Sequence, residues 1–211
     1  FMHGKGTYVW SDGLKYEGDF FCNQMTGIGK FTWLNGSYYA GDVRNSVRHG
    51  RGVFYHAPRM LKYDGDWVRG LQHGKGYMTF DIDEKSYYKG DWVANKKQGY
   101  GVRKYISGNF YEGEWFENMR HGNGTMHWVM EKQKYIGQWR CGVQEGEGEH
   151  TWYIKRSPTT HYYLRNSYKG SFKNGLRDGC GCFRYACGAF YSGLWRDNKK
   201  NGNVRLLLRQ R

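Results

Sequence analysis

Apolar and polar residues alternate one by one over short stretches, and the alternation restarts about every two dozen residues. In 16–20, Tyr16, Gly18 and Phe20 fall on one parity and Glu17 and Asp19 on the other. A strand sends successive side chains to opposite faces, so the first three share a face. The same Tyr-x-Gly-x-(aromatic or apolar) figure opens at Tyr16, Tyr39, Tyr63, Tyr88, Tyr111, Tyr135, Tyr168 and Tyr191, at spacings of 23, 24, 25, 23, 24, 33 and 23 residues. Nine residues after each first Gly stands a second, at 27, 50, 74, 99, 122, 146, 179 and 202. Two residues later stands a third, at 29, 52, 76, 101, 124, 148 and 181, and the last unit has Val204 instead. Gly4 and Gly6 are the same pair from an incomplete unit in front.

The segment from Tyr to the third Gly never changes length, and everything after it does. A segment of fixed length is expected to be a hairpin, because a one-residue slip would turn every side chain to the wrong face. The elastic segment is expected to end in a surface turn, and Asp12-Gly13, Asn35-Gly36 and Ser107-Gly108 supply turn chemistry. No stretch carries an amphipathic helical period. The expected fold is all-β: an elongated, twisted antiparallel sheet of stacked hairpin repeats, open and solenoid-like, curling into a trough. Its organisation is an incomplete first unit over 1–15, eight repeats over 16–202 with a long loop insertion at 153–167, and a divergent basic tail over 203–211.

Composition explains how so thin a structure finds a core. Hydrophobic residues make up 38% of the chain and aromatics alone 18%, with Tyr 19, Phe 11 and Trp 9. Rings bury much surface and keep a polar tip wet. Gly is 32 and Pro 2, a glycine content that signals turns at regular places rather than disorder, given the rings. The chain opens in the middle of a unit, so residues are expected to precede it. No apolar run approaches the ~20 residues of a membrane-crossing helix, and no signal peptide is visible. The five cysteines, Cys22, Cys141, Cys180, Cys182 and Cys187, form no disulfide framework. They are read as free thiols in a reducing, intracellular setting.

Tyr63-Asp-Gly65-Asp-Trp67-Val-Arg-Gly70-Leu-Gln-His73-Gly74-Lys-Gly76 fills the pattern Y-x-G-x-W-x-x-G-x-x-H-G-x-G. The chain therefore resembles the MORN repeat family over almost its whole length. The stretches 2–20, 108–115, 118–122 and 164–166, and the insertion with His150-Thr-Trp-Tyr-Ile-Lys-Arg156, are further similar to the MORN region of the radial spoke head 10 homolog B family. That resemblance implies a structural part of the axoneme of motile cilia and flagella. Expected partners are other radial spoke head proteins in a large complex, and the expected place is the cytoskeleton within cytoplasm, cilium or flagellum. The tail over 203–211 departs from the pattern, as a shorter isoform, a divergent relative or a fragment would.

No residue in the repeat points to catalysis. The histidines before the second Gly, at 3, 49, 73 and 121, are replaced in other units by Thr26, Gln98, Glu145, Asp178 and Asn201. A metal ligand does not exchange so freely, so no metal site and no cofactor is expected. Gly-x-Gly without a following helix is no phosphate loop. The acids Asp19, Asp42, Asp66, Asp91 and Glu114 recur in one environment, whereas acid–base catalysis needs two environments pushed apart.

The structural rows are expected to be Tyr16, Tyr39, Tyr63, Trp67, Tyr88, Trp92, Tyr111, Trp115, Tyr135, Trp139, Tyr168, Tyr191 and Trp195. Rings left on the open side of the trough would anchor a partner. The formal charge of +14 reads first as a solubilising surface. Modest basic clusters (Arg44, Arg48, Arg51, Arg59 and Lys62; Lys155, Arg156, His161, Arg165 and Lys169; Lys199, Lys200, Arg205, Arg209 and Arg211) suit an acidic protein or anionic lipid. Lys155, Arg156, Arg165 and Lys169 are the candidate contacts for a partner or for anionic phospholipid, in the alternative reading of a peripheral membrane–cytoskeleton linker. Rings used in packing cannot stack bases, so no nucleic acid is expected.

Overall fold

Each hairpin reverses six and seven residues past its tyrosine, through two residues in the left-handed region: Cys22-Asn23 (φ 47° and 67°), Arg69-Gly70 (51° and 83°), Ala94-Asn95 (47° and 67°) and Asp197-Asn198 (47° and 66°). Two positive φ values make the turn whose twist matches that of the strands it joins. The computed structural model describes residues 1–156, 163–202 and 206–207, with the side chains of Lys155, Arg156, Tyr163, Leu206 and Leu207 excepted.

The chain divides into two compact units. The first, Phe1–Ile106, holds β1 Gly4–Val9, β2 Lys15–Phe21, β3 Gln24–Thr32, β4 Tyr38–Arg44, β5 Val47–His56, β6 Leu61–Val68, β7 Leu71–Thr79, β8 Tyr87–Val93 and β9 Lys96–Lys104. Each strand pairs antiparallel with its sequence neighbours. The second, Ser107–Arg211, holds β10 Phe110–Phe116, β11 Met119–Trp128, β12 Gln133–Arg140, β13 Val143–Arg156, β14 Tyr163–Lys173, β15 Leu176–Arg184, β16 Phe190–Arg196, β17 Lys199–Asn201 and β18 Leu206–Leu207. It follows the same meander until β16, which pairs with both β17 and β18. The fold is all-β, an antiparallel sheet of stacked repeat hairpins, not closed into a barrel. The only helical element among the described residues is a 3-10 turn at Ala57–Arg59.

Register follows the glycines. The first and third Gly of a hairpin face each other, as Gly18↔Gly29, Gly65↔Gly76, Gly90↔Gly101 and Gly137↔Gly148. The ladder then shifts by a bulge before the turn.

The expected loop at 153–167 is largely strand. β13 runs on to Arg156, β14 begins at Tyr163, and Tyr153 pairs with Arg165 and Lys155 with Leu164 across a bulge. Trp152, Tyr153 and Ile154 against Leu164 and Arg165 give a sequence that prefers a pleated surface, and continuing the ladder satisfies backbone groups that a loop would leave to water. Residues 157–162, and the tail over 203–211 apart from 206–207, lie outside the described residues.

The core is one ring deep. Seven repeat tyrosines are 0% exposed and Tyr63 1%. They are flanked by Phe20, Val43, Trp67, Trp92, Trp115, Trp139, Phe172 and Trp195, all buried. A lone two-stranded hairpin is marginal in water, and each of these becomes stable by covering its neighbour's rings.

Candidate functional site

The unit that opens at Tyr63 shows how each repeat residue is used. The Tyr63 ring lies over the Gly65–Gly76 pair, and a Cβ at Gly76 would stand 2.5 Å from ring atoms of Tyr63. Its hydroxyl donates to the carbonyls of Asp66 (3.0 Å) and His73 (3.4 Å). Burial, and then the negative charge of Asp66, raise its pKa, so it stays a neutral donor. Trp67 meets Tyr63 edge-on at 5.2 Å and Tyr39 of the preceding hairpin at 5.4 Å. Its indole N–H donates to the carbonyl of Gly52 (2.9 Å). Trp92, Trp139 and Trp195 make the same bond to Gly76, Gly124 and Gly181. Such edge-on pairs contribute ~0.5–1.5 kcal/mol each beyond the area they bury.

The recurrent acids have a structural task. The second Gly, at the bulge, is left-handed (Gly74, φ 60°), which leaves the following N–H without a ladder partner. Asp66 accepts that N–H from Lys75 at 2.8 Å. Asp19, Asp42, Asp91 and Glu114 do likewise for Ile28, Arg51, Tyr100 and Asn123. Gln138 does so for Glu147 at 2.8 Å, so charge is dispensable.

Sequence reasoning missed a row of long side chains two residues before the second Gly: Met25, Arg48, Gln72, Lys97, Arg120, Gln144, Arg177 and Lys200. The backbone of this row receives the next turn, as in Gly70 N–H to the Arg48 carbonyl (2.8 Å), Gly142 to Arg120 (2.9 Å) and Asn198 to Arg177 (3.0 Å). The arginine side chains return the bond. Arg48, Arg120 and Arg177 each donate through Nη2, to the carbonyls of Gly70 (3.0 Å), Gly142 (2.6 Å) and Asn198 (3.1 Å). Each guanidinium also lies over the next hairpin's tryptophan: Arg48 on Trp67 at 4.5 Å, Arg120 on Trp139 at 4.4 Å and Arg177 on Trp195 at 4.6 Å. Cation–π attraction holds such cations over rings, and none of the three has an ion-pair partner among the described residues. Lys97 sits over Phe80 and Tyr88, and burial, with Arg103 adding to it, lowers its pKa to about 8.

The ring-bearing face thus combines buried tyrosines, half-buried Trp33, Trp128 and Trp152, and a row of cations. In the second unit His150 lies flat against Trp152 (4.1 Å, 6°) and Trp128 (5.4 Å, 12°). Burial, and secondarily Arg177, lower its pKa to about 4.

The first expected basic cluster, Arg44 to Lys62, does not form a single patch. Arg48 belongs to the ring face, whereas Arg51 bonds Asp66 at 3.1 Å across the opposite one. Arg165 and Lys169 are exposed on β14, with Tyr153 opposite Arg165 and Glu149 opposite Lys169. The side chains of Lys155, Arg156, His161, Arg205, Arg209 and Arg211 lie outside the described residues. The five cysteines are free, and the described residues contain no group of three His, Cys, Asp or Glu placed to hold a metal.

Comparison with known proteins follows the same units. The MORN repeat matches residues 1–15, 16–38, 39–58, 63–82, 88–110, 111–130, 135–154, 168–188 and 191–203. The chain is 36% identical over 70 residues to MORN repeat-containing protein 3 of Xenopus laevis, across 31% of this chain and 29% of that protein. It is 29% identical over 116 residues to alsin of Mus musculus and 27% to alsin of Homo sapiens, in both cases across 55% of this chain and 5% of alsin. The chain thus spans less than a third of the first relative and a twentieth of the second. Tyrosine, paired glycines, acid and tryptophan each serve the hairpin or its neighbour, nothing among them is arranged for catalysis, and with that repeat matched along most of its length the chain belongs to the MORN repeat family.

Proposed function

We propose that this chain is a non-catalytic protein-interaction scaffold that receives partner segments on the ring-bearing face of its sheets, in the radial spoke head of the axoneme of motile cilia and flagella. The carrying observation is that half-buried tryptophans share recesses with cations that lack carboxylate partners, Trp33 with Arg48 and Trp152 with Arg177. Aromatic and arginine side chains are the residues that anchor protein interfaces. The axonemal setting rests on the stretches at 2–20, 108–115 and 164–166 that resemble the radial spoke head 10 homolog B family. Crosslinking mass spectrometry on native motile cilia tests both. Crosslinks from residues beside Trp33 and Trp128 to a radial spoke protein, in detergent-resistant axonemes, are expected. Recovery of the chain wholly in the detergent-soluble membrane fraction would overturn the setting.

A second reading, peripheral binding to anionic phospholipid, is favoured by the exposed Arg165 and Lys169, four residues apart on one face of β14. Glu149 opposite Lys169 weakens the local positive charge. The reading predicts that sedimentation with phosphatidylserine vesicles is lost when Lys155, Arg156, Arg165 and Lys169 are all changed to Gln; unchanged sedimentation removes it.

A further inference from the structure

We propose that the recess beside Arg177 is a carboxylate-binding site whose ligand is an Asp or Glu side chain of a partner protein. The proposal rests on the reading of the ring-bearing face as the partner-binding face and names the chemistry recognised there. The recess holds about 200 Å³ and is lined by Gln144, His150, Trp152, Phe172, Arg177 and Asn198, with Gly175 at its turn. That is below the ~300–1,000 Å³ of small-molecule pockets, and suits a side chain rather than a free metabolite.

Donors converge there without acceptors. Gln144 Nε2 is buried and has no hydrogen-bond partner. A donor removed from water and left unpaired is a standing loss that an incoming acceptor relieves. Arg177 uses Nε on Asn198 Oδ1 (3.1 Å) and Nη2 on the Asn198 carbonyl (3.1 Å), which leaves Nη1 without a partner. The rings of Trp152, Phe183, Tyr168 and Trp195 surround the guanidinium at 4.6–5.7 Å and fix its position. No acid lines the recess, so an entering carboxylate would be its first negative charge. A guanidinium N–H beside an amide N–H in partly dry surroundings is a donor set for a carboxylate. Burial, and after it the charge of Arg177, lowers the His150 pKa to about 4, which keeps that ring an uncharged wall.

Titration of the ¹⁵N-labelled full chain with the capped tripeptide acetyl-Leu-Glu-Leu-amide, followed at the Gln144 side-chain amide and the Trp152 indole N–H, tests the site. Saturable shifts are expected, with acetyl-Leu-Gln-Leu-amide at least tenfold weaker. Arg177→Gln should weaken binding at least tenfold and Gln144→Met several-fold. Both replacements are already used by the repeat in this row, at Gln72 and Met25, so the hairpins should still form, as circular dichroism would verify. Equal binding of the two tripeptides, no shift at either reporter, or indifference to both variants would overturn the site. A crosslinked partner bound beside Trp152 whose affinity ignores both variants would overturn the carboxylate assignment alone and leave the scaffold reading standing. Shifts that follow the carboxylate, with no protein ever crosslinked to this face in cilia, would do the reverse.

Discussion

Arg48 and Arg177 occupy the same repeat position, yet the recesses beside them differ in kind. Both guanidiniums lie on the next tryptophan, at 4.5 and 4.6 Å, and both hold the next turn through Nη2. The recess at Arg48, about 220 Å³, is lined by Leu14, Phe31, Trp33, Ser46, Val47 and Gly70. The one at Arg177, about 200 Å³, has His150 where the first has Phe31, Trp152 for Trp33, Gly175 for Ser46 and Asn198 for Gly70. Gln144 stands at the row position that Met25 holds before Arg48. The frame that places a cation on a ring is therefore fixed by the repeat. What the cation can recognise is set by four neighbours that the repeat leaves free: a largely apolar recess in one case, a recess rich in donors in the other.

Removing the shared frame should affect both sites most and equally. Trp67→Ala and Trp195→Ala are each expected to cost about 3–5 kcal/mol in urea denaturation, the usual range for a buried tryptophan; a large inequality would mean that the two positions are not equivalent. Arg48→Gln and Arg177→Gln should each lower stability by about 1–2 kcal/mol, through the lost ring contact and charged hydrogen bond, while only the second changes binding of the acidic tripeptide.

The histidine separates the sites by pH. His150 titrates at about 4 when folded against 6.5 as a free side chain. Between those values the unfolded chain binds more protons, so this contribution is complete above pH 6.5 and is lost as pH falls towards 4. His150→Phe, which installs the residue of the other site, should flatten the urea midpoint between pH 7 and pH 4.5 relative to the parent. Met25→Gln runs the exchange the other way, and should give the Arg48 recess a weak affinity for the acidic tripeptide that the parent lacks, through one added hydrogen bond. Smallest is Asp66→Asn. An amide still accepts the Lys75 N–H, as Gln138 does for Glu147, and only an exposed pairing with Arg51 is lost, about 0.5 kcal/mol or less by calorimetry.

The fixed interval from Tyr to third Gly made the hairpins, their register and the ring rows readable, because one residue type performs one task in every unit. The row from Met25 to Lys200 escaped because its members share length and not chemistry. Long unbranched chains two residues before each second Gly were the available signal. The acids were visible as a series, but their purpose depends on a left-handed Gly that frees an N–H, which becomes plain only once the bulge is seen. The segment over 153–167 reads as a loop from its length, although Tyr153 and Ile154, next to Trp152, carry a strand's composition.

The turn-to-row bonds run in one direction. Ser46 docks on Met25, Gly70 on Arg48 and Asn95 on Gln72 in the first unit, and Gly142 on Arg120, Gly175 on Gln144 and Asn198 on Arg177 in the second. In each of these the hairpin tip seats on the hairpin made before it. During synthesis from the ribosome, these tips therefore emerge after the residues that seat them, and do not have to wait for residues still to be translated.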